Sequence, residues 1–220
     1  GGGDEERGSL YMAEQPSILK PETIEAESFR IIDSEIGPHP FNAQQWPIVR
    51  RVIHTTADFE LAEQIRFSAD VVTQAMTALR ADAKILCDTN MVLAGVNKSR
   101  LAKLNGSIAC HVADPQVAAD AKVAGLTRST FALRKGVAEG CTIFLIGNAP
   151  TALFELLRLA EEGKVDPALI VGVPVGFVGA AESKEALMSA ELPYIAIEGR
   201  KGGSAIAAAI LNALMIQADG

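Results

Sequence analysis

Aromatic residues make up only 5% of this 220-residue chain, and histidine occurs three times, at His39, His54 and His111. So few imidazoles narrow any histidine chemistry to three positions. Cysteine is as sparse: Cys87, Cys110 and Cys141 are odd in number, widely spaced and free of a CxxC pattern. That usage argues against a disulfide framework or structural zinc site and fits a reducing cytoplasm. Basic residues are not in excess, since 20 Lys+Arg face 27 Asp+Glu for a net charge of -7, and the whole-molecule field repels nucleic acid. The longest uncharged runs, Pro167 to Ala181 and Gly202 to Gln217, fall short of the roughly 20 residues that span a bilayer. No membrane segment is expected.

Familiar ligand motifs are missing as well. No expected strand is followed by GxGxxG, which gives a nucleotide-dependent oxidoreductase little support. GxSxG, HExxH and metal-type clusters do not occur, so no metal ligands are assigned.

What remains is an ordinary globular composition, 49% hydrophobic and 21% charged, long enough for one well-buried core. Residues 1–15, glycine-rich and acidic, read as a flexible leader, and residues 16–220 as a single domain. From Lys20 to Arg80 the apolar spacing is helical, with helices expected near Glu22 to Glu35, Asn42 to Thr55, Asp58 to Ile65 and Ser68 to Ala81. Asp58 and Ser68 stand where a side-chain oxygen can cap a helix. After Ala83 the rhythm becomes short apolar runs followed by amphipathic segments: KILCD, SIACHV, TIFLIGN, ALIVGV and YIAIEG. Mostly continuous rather than alternating, these runs suit parallel strands buried on both faces. The expected fold is α/β: a mainly parallel, doubly wound five-stranded sheet flanked by helices, behind an N-terminal helical segment. Ligands of such sheets bind beyond the carboxyl ends of the strands, where this chain concentrates glycine, asparagine and proline.

Three loops there could meet a ligand. GRKGGSAIAAAI, residues 199–210, leads into a helix through three glycines and two cations, a setting for an anion or a plain glycine turn with a solvated basic pair. In IGNAPTALF, Asn148 can present its amide to a ligand or cap the helix that Pro150 begins, and the stretch alone favours the cap. Within GVPVGFVGAAESKE, Glu182, Ser183 and Lys184 either line a pocket or begin an exposed helix. Arg128, among the hydroxyls of TRST, suits bidentate capture of a carboxylate, with a surface salt bridge as the plainer alternative. Ser28 sits in an amphipathic helix. His54 falls near the end of its helix in IVRRVIHTT, with Arg50 on the same side, and a histidine so placed is more often structural than catalytic.

Taken together, SF at Ser28 and Phe29, RRVIH at Arg50 to His54, ILCDTNMVLAGV, TRS, IGNAPTALF, PVGFVGAAESK and GRKGGSA resemble the precorrin-8X methylmutase family over roughly residues 20–215. The resemblance implies movement of a methyl group from C11 to C12 of a corrin precursor, precorrin-8X or cobalt-precorrin-8, in cobalamin biosynthesis. It implies a cytoplasmic homodimer with the site near the subunit interface, no dissociable cofactor, and a corrinoid tetrapyrrole as substrate and product. His54 then matches the catalytic histidine, with Ser28, Arg51 and Arg128 at matching pocket positions. Ser129, Asn148, Lys184, Gly203 and Ser204 follow from motif membership. Asn97 stands where the family often has threonine, and Arg50 is left without a role. A non-catalytic corrinoid carrier would use the same pocket.

Overall fold

The structure, a computed structural model, describes residues 20–220, so the expected leader at residues 1–15 lies outside the described residues. The chain divides into two compact units, the second running from Phe41 to Gly220. The described part of the first carries α1 (Pro21–Ile36), begun by a proline and ended by Gly37 at φ 64. Ser28 lies on it, half-buried.

The second unit opens with α2 (Trp46–Thr56), whose Ile48, Val49, Val52 and Ile53 form a buried stripe at helical spacing. It is followed by α3 (Leu61–Gln64), β1 (Ile65–Phe67), α4 (Val71–Leu79) and β2 (Lys84–Cys87). Two short helices, α5 (Asn90–Gly95) and α6 (Lys98–Lys103), lead to β3 (Ser107–Ala109). Then come α7 (Pro115–Ala124), α8 (Arg128–Ala138), β4 (Ile143–Ile146), α9 (Pro150–Glu161), β5 (Leu169–Gly172), α10 (Ala180–Ser189), β6 (Tyr194–Ile197) and α11 (Ser204–Asp219).

All five expected strands form and pair in parallel. A sixth, β1, pairs antiparallel with β6 where a helix through Ile65 was expected. That helix shrinks to α3 because Ile65 leaves the helical conformation for the sheet. Ser68 likewise does not cap α4: its hydroxyl accepts the Tyr194 N–H at 2.8 Å and donates to the Tyr194 carbonyl at 3.2 Å, tying the end of β1 to β6.

The sheet order is β1-β6-β5-β4-β2-β3. From β2 the chain moves outward to β3, then returns to the other side of β2 with β4, so the connections reverse between β2 and β4. On one face α11, apolar nearly all round, is packed among α2, α4, α5 and α6. The other face is covered by α7, α8, α9 and α10 in sequence, over a core that includes Leu86, Phe144, Ile146, Leu153 and Leu187. Burying each such side chain contributes about 1.5–3 kcal/mol. Among the described residues no helix is long and apolar enough to cross a membrane.

Candidate active site

Loops from four parallel strands meet at the carboxyl edge of this sheet, and backbone contacts hold them together. Gly202 lies so close to the turn after β5 that a Cβ there would sit 2.1 Å from the Val173 carbonyl oxygen. The neighbouring Gly203 N–H donates to that same oxygen at 2.9 Å, and the Gly176 N–H donates to the Arg200 carbonyl at 3.1 Å. Gly147, after β4, packs on the start of α11, where an added Cβ would come 2.7 Å from the Ser204 Cα. Only glycine allows approaches this close.

Two buried charges fix these loops. Asp88 ends the β2 run and is 5% exposed; its carboxylate accepts the N–H groups of Gly147, Asn148 and Ala149 at 2.9, 2.9 and 2.8 Å. Burial pushes the Asp88 carboxyl above its ordinary pKa, and those three donors pull against the rise. Lys184, on α10, is fully buried, and its ammonium donates to the Lys201 carbonyl at 2.8 Å. Desolvation lowers its pKa to about 8.

The structure therefore reassigns two residues. Lys184 is directed at the backbone of the 199–204 loop and supports it from behind, rather than presenting its amine to a ligand. Asn148 is not a cap: α9 begins after Ala149 with no side-chain cap bond, while the Asn148 side chain is exposed at the edge. Gly203 precedes α11 at φ 134, and that helix also starts without a side-chain cap. The Ser204 hydroxyl is shared with that of Thr89 at 2.9 Å, and Thr89 in turn caps α5 by accepting the Val92 N–H.

The end of α2 reaches the same edge. Lys201 pairs with Asp58 at 2.7 Å and Glu60 at 2.8 Å, joining the turn after α2 to the turn after β6. Ala57, in the left-handed region at φ 54, makes that turn possible immediately after the last helical residue. His54 lies in the last turn of α2; Arg50, Arg51 and His54 share its half-buried side, opposite the apolar stripe. Arg128 is exposed at the first position of α8, with half-buried Ser129 beside it. The hydroxyls of Thr130, Thr127 and Thr151 form a chain of 2.9 Å contacts that binds the start of α8 to the start of α9. Asn97 does the opposite of facing a ligand: it caps α6, accepting the Arg100 N–H at 3.0 Å.

Around these polar groups the edge is unusually apolar. Met91, Phe177 and Val178 are 74, 82 and 91% exposed, and the Arg200 guanidinium stands 5.3 Å over the Phe177 ring. Asp88 and this apolar rim were not singled out from the sequence. One signal for Asp88 was available, an acid ending a buried strand at the reversal point of the sheet.

Comparison with known proteins gives this edge a context. The Precorrin-8X methylmutase family profile matches residues 23–217. A cobalt-precorrin-8 methylmutase of Priestia megaterium is 46% identical over 206 residues, covering 93% of this chain and 92% of its own. One from Salmonella typhimurium is 48% identical over 205 residues, with 90 and 96% covered. A solved precorrin-8x methyl mutase from Thermus thermophilus superposes with a TM-score of 0.84 at 44% identity, covering 90% of this chain and 96% of that one. By both sequence and structure, this chain belongs to the precorrin-8X methylmutase family.

Proposed function

We propose that this chain moves a methyl group between neighbouring ring carbons of precorrin-8X or cobalt-precorrin-8, C11 to C12, with His54 supplying the proton or strong hydrogen bond that starts the migration. As a member of its family it is an isomerase of cobalamin biosynthesis. The observation that supports a corrinoid ligand is the mixed character of the carboxyl edge, where exposed Met91, Phe177 and Val178 follow the strand ends, the Arg200 guanidinium stands over the Phe177 ring, and the start of α8 carries exposed Arg128. A corrin precursor is a large apolar ring bordered by carboxylates, and it needs that combination of apolar contact and scattered cations.

A shift within a conjugated ring requires neither a hydride acceptor nor an external methyl donor. Protonation at the macrocycle makes the receiving carbon electron-poor, and a placed imidazolium can contribute roughly 100- to 10,000-fold by general acid catalysis. Holding the ring in one conformer supplies the rest by orientation. Arg51 and Arg128 hold peripheral carboxylates, with Ser129, Asn148, Gly203 and Ser204 offering hydrogen bonds. Ser28 enters on the family resemblance alone. The reading includes a cytoplasmic homodimer with its site near the subunit interface, which light scattering on the purified chain checks.

Incubation with a large molar excess of each precursor, metal-free and cobalt-containing, tests the assignment. An enzyme converts the excess, with a product spectrum that keeps growing past one equivalent per chain. A shift that stops at one equivalent would make the protein a corrinoid carrier.

A further inference from the structure

β2 and β3 run in parallel with Leu86 opposite Ala109, so the next positions along the register, Cys87 and Cys110, stand side by side on one face of the sheet. Neighbouring strands lie about 4.8 Å apart, within the roughly 4.4–6.8 Å between Cα atoms that a disulfide spans. β3 is the edge strand and ends at Ala109, so Cys110 has no strand on its far side and is free to adjust. We propose that Cys87 and Cys110 are a peroxide-responsive thiol pair that closes reversibly to a disulfide.

The two sulfurs are unequal in the way such chemistry needs. Cys110 is half-exposed, whereas Cys87 is buried. The neighbouring Cys87 thiol, helped by the Val112 N–H, outweighs desolvation and lowers Cys110 to about 7, while the same interaction and burial push Cys87 up. Cys110 is thus the attacking thiolate and Cys87 the resolving thiol. In the first step the Cys110 sulfur bonds to one peroxide oxygen as the O–O bond breaks, giving a sulfenic acid and hydroxide. In the second, the Cys87 sulfur bonds to the Cys110 sulfur as the S–O bond breaks, and the departing oxygen leaves as water with the Cys87 proton. Each sulfur loses one electron, and the peroxide ends as two waters once the hydroxide takes up the proton that Cys110 released on forming its thiolate.

The pair is wired to the loops of the edge. Cys87 directly precedes Asp88, and its sulfur lies 3.5 Å from the carbonyl of Thr89, whose hydroxyl meets Ser204. Closing the disulfide tethers the strand end from which both residues project, so oxidation should lower turnover until a dithiol reductant restores it.

Peptide mapping of the full chain after treatment with stoichiometric hydrogen peroxide tests this. The expected result is a Cys87–Cys110 linked peptide, two hydrogens lighter, that dithiothreitol reverses while buried Cys141 stays alkylatable. Cys87→Ser should stop at a sulfenic acid on Cys110 that dimedone traps, and Cys110→Ser should lose thiols about tenfold more slowly than the unaltered chain. Because the linked peptide is read on the unaltered protein, it stands even if a variant fails to fold. Direct over-oxidation of Cys110 without a linked peptide, or equal oxidation of Cys141, would overturn the proposal.

Discussion

The loops after β4 and β6 lie against each other at the carboxyl edge, yet they are held by buried charges of opposite sign and unequal support. Asp88 gathers three backbone N–H groups from residues 147–149, whereas Lys184 donates to one carbonyl, that of Lys201. A carboxylate so surrounded is close to fully compensated; an ammonium with one named acceptor is not. This contrast makes Lys184, and not Asp88, the more costly burial. It also gives each charge its own pH signature.

Removing Asp88 should have the largest effect. Asp88→Ala leaves three backbone donors without their acceptor and should lower stability by on the order of 3–5 kcal/mol, read as a fall in the urea midpoint, with turnover reduced at least tenfold. A midpoint shift no larger than that of a surface substitution would break the contrast. Next comes Lys184→Met, which removes an under-compensated charge while keeping the packing. Its stability should change by about 1 kcal/mol or less, yet turnover should drop because the Lys201 carbonyl loses its donor.

The pH dependence of unfolding follows from the same pair. Lys184 has a folded pKa of about 8 against an ordinary 10.5, so between those values the unfolded chain binds more protons and stability rises with pH, by on the order of 3 kcal/mol in all. Asp88 is shifted upward, so just above the ordinary carboxylate value the folded state holds the extra proton and stability falls as pH rises. Lys184→Met should abolish the alkaline gain; if the gain persists in that variant, the lysine is not its source. The smallest effect is on binding alone: Arg128→Ala should weaken substrate affinity roughly tenfold, more at low salt, with kcat little changed. Unchanged affinity would remove Arg128 from the carboxylate contacts.

Much of this architecture could be read from residues. The five parallel strands were visible because continuous apolar runs bounded by small residues have few other folds open to them. β1 was hidden: three residues, Ile65–Phe67, are too few to show a period, and only pairing with β6 makes them a strand. Six-residue α5 and α6 escaped for the same reason. His54 stands at the end of its helix as its spacing indicated. Lys184 is the instructive miss, since Ala180, Ser183, Lys184 and Leu187 repeat at helical spacing and are all buried. A lysine between Glu182 and Glu185 has the look of solvent-facing surface, and that masks the period. The partners of Asp88, unlike its place at a strand end, required the third dimension, because all three lie about sixty positions away in the chain.

The most direct measurement compares single turnover with substrate binding in His54→Ala. The expected rate of methyl migration is about 100- to 10,000-fold lower, with affinity for the precursor within about a few-fold of the unaltered chain. A variant that binds the precursor and rearranges it at the normal rate would contradict the role given to His54.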